Sequence, residues 1–325
     1  LQELLMKSRN EWDQLKHVIV GRADYACMPE MERSYRHINF ADKEDVSNVP
    51  NGLYPPQVIQ EANEDLEVFV QFLLGEGVEV LRPEKKPTGY YSFCPRDVVV
   101  SHGDVAFAAP MPLRARKDDW KTIAQHFDNL KRVECSYDDQ LYDDDCICEK
   151  DILALTEHSP AFDAANILKA NDDILYLVSN SGNKKGSKKL QSILGDDINV
   201  HLLENVYSYM HIDTTVAFLK EGLLLANPER IKDKNMLPHP FNKWDVIWCP
   251  EPVDIGYFPN YNNASPWINM NLFSVDPNLV VLEENQNPTR KELEKHGIEC
   301  AMLPMRHART LSGCFHCVTL DIDRG

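Results

Sequence analysis

The chain has 325 residues, with 34 Lys+Arg against 51 Asp+Glu and a formal net charge of −17. Hydrophobic residues make up 43% and aromatic residues 9%, a composition that can bury a sizeable globular core. The acidity and the lack of any Lys/Arg-rich block exclude nucleic acid and anionic membrane as expected partners, and no run of about 18 apolar residues is present to span a bilayer. Nine scattered cysteines, an odd number in a long chain, point to free thiols in a reducing, cytoplasmic setting. The N-terminal stretch Leu1 to Asn10 carries charge inside its apolar portion and does not read as a secretory signal. The chain starts without Met and stops after Asp323-Arg324-Gly325, as a portion of something slightly longer would.

In chain order, His17-Val18-Ile19-Val20-Gly21 reads as a strand ended by glycine. Residues 23–54 are polar and without a sustained period, which predicts a long loop or lid. Pro55-Pro56 starts a helix through Gly75. Val58, Ala62, Leu66, Phe69 and Leu73 form its apolar stripe, and Glu61, Glu64 and Asp65 fall off it. A strand at residues 78–81 follows.

From there a pattern repeats. Hairpins are predicted at 97–100 with 105–110, 166–170 with 174–178, 215–219 with 223–227, and 271–274 with 279–282, each around a polar turn. Residues 317–321 would open a fifth unit completed by the N-terminus. Helical stretches are predicted at 117–131, 184–194 and 289–296, with a further strand at 199–203. Hairpins are not parallel crossovers, so the pattern fits an α/β fold of five ββαβ units in a ring better than a doubly wound sheet. No Pro/Gly/Ser-rich linker divides the chain, which predicts one domain over residues 1–325.

Polar residues recur at the start of each first strand: Arg96-Asp97, Phe162-Asp163, His211-Ile212-Asp213, Ser265 to Asn271, and His316-Cys317. Units arranged about an axis would bring these groups into one pocket. Carboxylates grip a planar guanidinium through bidentate, charge-assisted hydrogen bonds. A thiolate could then attack its central carbon while a histidine moves protons.

The closing stretch Leu311-Ser312-Gly313-Cys314-Phe315-His316-Cys317 leaves other readings open. Cys314-x-x-Cys317 could be half of a structural zinc site, although Cys146-x-Cys148 has the wrong spacing for the other half. A thioredoxin-like pair would precede a helix, whereas an apolar, β-branched run follows Cys317.

The chain resembles the guanidino-group modifying enzymes, and within them the arginine-dependent amidinotransferases that include glycine amidinotransferase. The likeness rests on Pro95-Arg96-Asp97, Ala109-Pro110-Met111 with Arg114-x-Arg116, Phe162-Asp163-Ala164-Ala165, Met210-His211-Ile212-Asp213, Ala226-Asn227-Pro228-Glu229-Arg230 and Gly313-Cys314-Phe315-His316-Cys317. It implies a five-bladed β/α propeller, the pentein fold, about a pseudo-fivefold axis. It implies Cys317 as nucleophile, His211 as general acid/base and Asp163 as its carboxylate partner. Asp97 and Asp213 match positions that hold the guanidinium, and Arg230 and Ser265 match positions that bind the amino-acid end of the donor. The implied reaction is ping-pong: L-arginine gives up its amidino group, ornithine leaves, and a small amine accepts. No cofactor or metal is implied, and family members are commonly homodimers.

Two departures bear on the acceptor. The family's Gly-Gly-Gly is Ser312-Gly313-Cys314 here, and Ser208 and Met210 would line an acceptor side suited to an amine larger than glycine. The acceptor candidates are glycine, an aminated sugar-like ring, or a natural-product amine of the saxitoxin or cylindrospermopsin type, with natural-product biosynthesis the expectation. The alternatives are a guanidine hydrolase of the arginine deiminase or dimethylargininase type, and a non-catalytic relative with a structural Cys-x-x-Cys site.

Overall fold

The computed structural model describes residues 7–85, 90–146 and 152–325. The start of the N-terminal stretch and Cys148 of the second cysteine pair lie outside them.

Five three-stranded sheets carry the fold, each an antiparallel pair extended by a third strand parallel to its middle one. In the first, Val99–His102 and Val105–Ala108 are joined by the two-residue strand Lys131–Arg132. Ile167–Ala170, Asp173–Leu177 and Asn199–Leu203 form the second, and Val216–Lys220, Leu223–Ala226 and Asp245–Trp248 the third. Phe273–Asp276, Leu279–Glu283 and Glu299–Leu303 form the fourth. In the fifth, Thr319–Arg324 pairs antiparallel with Leu15–Val20, which runs parallel to Glu79–Leu81. The two ends of the chain thus share one sheet, as the incomplete C-terminal unit predicts. Gly222 turns its hairpin at φ 77°, where glycine has no Cβ to clash.

The helices at Pro56–Gly75, Lys184–Leu194 and Asn287–Lys295 sit where the periodicity puts them. Each lies between the second and third strands of its sheet, whereas the first and third sheets have only 3₁₀ turns there among the described residues, so the ββαβ expectation holds for three units. Residues 117–131 instead form short 3₁₀ turns, Asp119–Thr122 and Ala124–His126. There the buried Asp119 carboxylate accepts from Arg116 Nε (2.8 Å) and Tyr90 N (2.6 Å), and Thr122 Oγ1 donates to the Asp119 carbonyl. These side-chain bonds compete with a continuous helix.

Asp65, off the apolar stripe, is nonetheless buried, and both its oxygens accept from Arg306 at 2.8 Å. One further expectation needs correction. Residues 23–54 are not one irregular loop. They contain the helix Arg33–Asn39, capped by the Glu32 carboxylate, and a small ladder of Cys27–Met28 with Gly52–Leu53. A seven-residue helix is too short to show a period, but Tyr35 and Ile38 are buried all the same.

The first strand of every sheet is preceded by a tight turn. Pro95–Asp97, Ala164–Asn166, Ile212–Thr214 and Pro266–Met270 are 3₁₀ turns, and residues 315–318 form the fifth turn. The strands therefore begin one or two residues later than predicted, and the polar residues sit on the turns themselves. Successive 3₁₀ turns pack against one another. Beneath the fifth, fully buried Phe315 packs edge-on against Phe69, ring centroids 4.9 Å apart. Among the described residues no helix is long and apolar enough to cross a membrane.

Candidate active site

Cys317 stands at the end of the last turn, where its amide N–H donates to Asn271 Oδ1 (2.9 Å). Its Sγ lies 3.2 Å from Asp213 Oδ2. The same carboxylate oxygen meets His316 Nδ1 at 3.1 Å, and His316 Nε2 lies 3.4 Å from Glu11 Oε2. A second constellation adjoins the first. His211 Nε2 bonds Asp163 Oδ2 at 2.8 Å, and its Nδ1 is 3.6 Å from Asp97 Oδ1. Arg116 Nη1 donates to the other Asp97 oxygen at 2.5 Å.

Asp97 Oδ1 and Asp163 Oδ1 are buried without a hydrogen-bond partner. A buried carboxylate oxygen without a hydrogen bond is costly, and a planar cation in the cavity with several N–H donors would satisfy the one on Asp97.

The charges follow from this geometry. Burial alone would lower the His211 pKa, but the Asp97 charge and the Asp163 bond outweigh it and raise it to about 9. Burial works in the opposite sense on Asp213, and the bond to His316 with the charges of His316 and His211 overcomes it, holding this carboxyl well below its usual range. The hydrogen bond with Cys94, burial, and the charges of Asp213 and Asp97 push the Cys317 thiol well up. Both shifts favour the protonated forms, imidazolium at His211 and thiol at Cys317.

These groups open onto a cavity of about 530 Å³ lined by Cys317, His211, Asp97, Asp213, Arg116, Arg230, Ser265 and Met210. Part of its wall is the 23–54 segment, including Met28, Tyr35, Ile38, Asn39, Phe40 and Lys43. Arg230 lies flat over the Tyr207 ring, Cζ 3.5 Å from its centroid, and donates to Thr214 Oγ1 and Thr215 Oγ1 at 2.8 Å each. Asn39 Nδ2 contacts Met210 Sδ at 3.5 Å, tying the short helix to the turn that carries His211.

Of the residues singled out from the sequence, Asp163 stands behind His211, off the cavity lining, and Ser208 is buried off it as well, while its neighbours Tyr207 and Tyr209 face the cavity. The remaining seven line it. Cys314 is buried in an apolar cluster off the lining, so the two cysteines of Cys-x-x-Cys occupy different settings. Among the described residues no group of three or more His, Cys, Asp or Glu is placed to hold a metal ion. Sequence reasoning missed Cys94 and Glu11. Cys94 directly precedes the Pro95-Arg96-Asp97 motif, which was a usable signal; Glu11 carried none.

The chain is 39% identical to inosamine-phosphate amidinotransferase 1 of Streptomyces griseus over 341 residues, 98% of this chain and 97% of that protein. The solved structure of an inosamine-phosphate amidinotransferase from S. griseus matches with a TM-score of 0.90 at 38% identity, covering 98% of this chain and 97% of that one. That of an amidinotransferase from Microseira wollei in the saxitoxin biosynthetic pathway matches at 0.84 and 29% identity, with 98% and 97% covered. A dimethylarginine dimethylaminohydrolase, 15% identical with a TM-score of 0.64 over 95% of this chain and all of that one, shares the fold alone. No protein-family model matches the chain.

The fold is that of the α/β pentein class. The chain belongs to the amidinotransferase family, whose members are transferases.

Proposed function

We propose that the enzyme moves the amidino group of L-arginine to an amine on a natural-product ring, through an amidino thioether on Cys317. The observation that carries this reading is the meeting of the Cys317 thiol with Asp213 on a cavity that Asp97, whose Oδ1 accepts no hydrogen bond, also lines. The guanidinium N–H groups bond Asp213 and Asp97, and Arg230 and Ser265 take the amino-acid end of arginine. As the cation enters, it offsets the carboxylate charge that opposes ionisation of Cys317, and the thiol proton is lost to solvent. The thiolate adds to the guanidinium carbon, the C–N bond to ornithine breaks, and His211 gives its proton to the departing amine. His211 then takes a proton from the acceptor amine, which displaces Cys317 and carries the amidino group away. Asp163 holds the His211 ring in place throughout.

A ring acceptor suits the cavity's size and its wall of aromatic and polar side chains from residues 28–54. It agrees with the inosamine phosphate in the name of the 39% identical relative. The 23–54 segment is the candidate cover that keeps water from the thioether. We also read the five sheets as blades about a pseudo-fivefold axis, in one domain of a cytoplasmic homodimer.

The test is ornithine release from arginine with a panel of acceptors: an aminocyclitol, its phosphate, lysine and glycine. Preference for a ring amine is expected. Equal use of glycine would overturn the ring assignment, and citrulline formed without acceptor would make the enzyme a hydrolase.

A further inference from the structure

Cys94 is a buried thiol that the amidino-transfer chemistry does not use. It immediately precedes the Pro95–Asp97 turn, is 1% exposed, and packs with Cys317 against Gly313. Gly313 lies between the two. A Cβ built there would sit 2.7 Å from Cys94 Sγ and 3.2 Å from Cys317 Cβ. A side chain at position 313 would therefore crowd both cysteines, which border the same small space. Cys317 lines the cavity and Cys94 does not, so a small solute reaches one sulfur first and the other only through it.

We propose that Cys94 and Cys317 form an oxidative modification site for hydroperoxides entering the substrate cavity. The Cys317 thiolate attacks the peroxide, breaking the O–O bond, and becomes a sulfenic acid as the peroxide leaves as hydroxide or alkoxide. The Cys94 sulfur attacks the Cys317 sulfur, the S–O bond breaks, and water leaves with the Cys94 proton. Two thiols are oxidised to one disulfide while one peroxide is reduced, and a dithiol reverses the change by exchange. A buried cysteine acting only as a small apolar filler would offer no such rescue, and Cys317 would proceed to sulfinic acid. Because burial and neighbouring carboxylates hold both thiols protonated, disulfide formation quickens as pH rises. Bound arginine shields the site by filling the space before Cys317.

The test treats the full chain with hydrogen peroxide, blocks free thiols with N-ethylmaleimide, and maps peptides before and after dithiothreitol. A peptide joining Cys94 to Cys317, lost on reduction and diminished by arginine, is expected. Cys317 as sulfinic acid beside an alkylated Cys94, or a disulfide of either with Cys314, would overturn the proposal. Cys94→Ala is compared with its own starting rate: dithiothreitol restores most activity in the native chain and less than a tenth in the variant. Equal recovery in both would again overturn it. The activity readout rests on Cys317 being the nucleophile, whereas the peptide map does not. A Cys94–Cys317 disulfide without loss of rate would therefore sink the nucleophile assignment and leave this site standing.

Discussion

Cys317 Sγ faces Asp213 Oδ2 across 3.2 Å, so the thiol hydrogen-bonds a carboxylate rather than an imidazole. A carboxylate in that position keeps the proton on sulfur until a cation arrives. Alkylation of Cys317 by iodoacetamide should therefore need strongly alkaline pH in the free enzyme. Asp213→Asn should lower that pH while raising the KM for arginine. Losing charge-assisted bonds costs about 1.5–3 kcal/mol, roughly 10- to 150-fold. An unchanged KM would remove Asp213 from the guanidinium site.

His211 must carry a proton to release ornithine, and its pKa is raised to about 9 by Asp97 and Asp163 acting against burial. Activity is thus present below that pH and lost above it. Asp163→Asn removes one of the two supports, so the alkaline limb of kcat/KM should move down by about 1–3 pH units. Pre-steady-state ornithine release across pH, with and without the substitution, reads this directly.

Glu11 reaches His316 from the far end of the chain and also accepts from Arg96 Nη1 (3.3 Å) and the Lys169 amide (3.0 Å). Burial would raise its pKa, yet Lys169, Arg96 and His316 lower it to about 2 from 4.5. The folded-state value lies below the unfolded one, so this stabilisation is complete above about pH 4.5 and fades as pH falls toward 2. Glu11→Gln should cost about 3–5 kcal/mol at pH 7 and flatten the acid dependence of urea unfolding.

Arg230 is held by a ring and two hydroxyls in a geometry that uses its planar fork. Arg230→Lys keeps the charge but loses the stacking and the paired bonds. The arginine KM should rise about tenfold or more with kcat nearly unchanged, since the contact is remote from the reacting carbon.

Much of this architecture was legible before the fold was seen. The antiparallel pairs announce themselves through apolar runs broken by turn residues such as Asn171 and Gly222, both at positive φ. The third strands were harder, because Lys131–Arg132 is two residues long and Asp245–Trp248 follows no helix. Asp97, Asp163, His211, Asp213 and Cys317 could be read together because each occupies the same place before a first strand. What could not be read were partnerships made only in three dimensions. Arg116 with Asp97 joins two neighbouring turns, and Glu11 with His316 spans 305 residues. No local pattern encodes such pairs. Cys94 was hidden for a different reason, since a buried cysteine next to a motif looks the same whether it fills space or meets another thiol.

The central claim is the covalent intermediate on Cys317, and intact-mass measurement after incubation with L-arginine alone tests it most directly. One amidino group gained per chain with one ornithine released, both abolished by Cys317→Ser, is the predicted result. An unmodified chain that turns arginine into citrulline, or an adduct that survives Cys317→Ser, would contradict it.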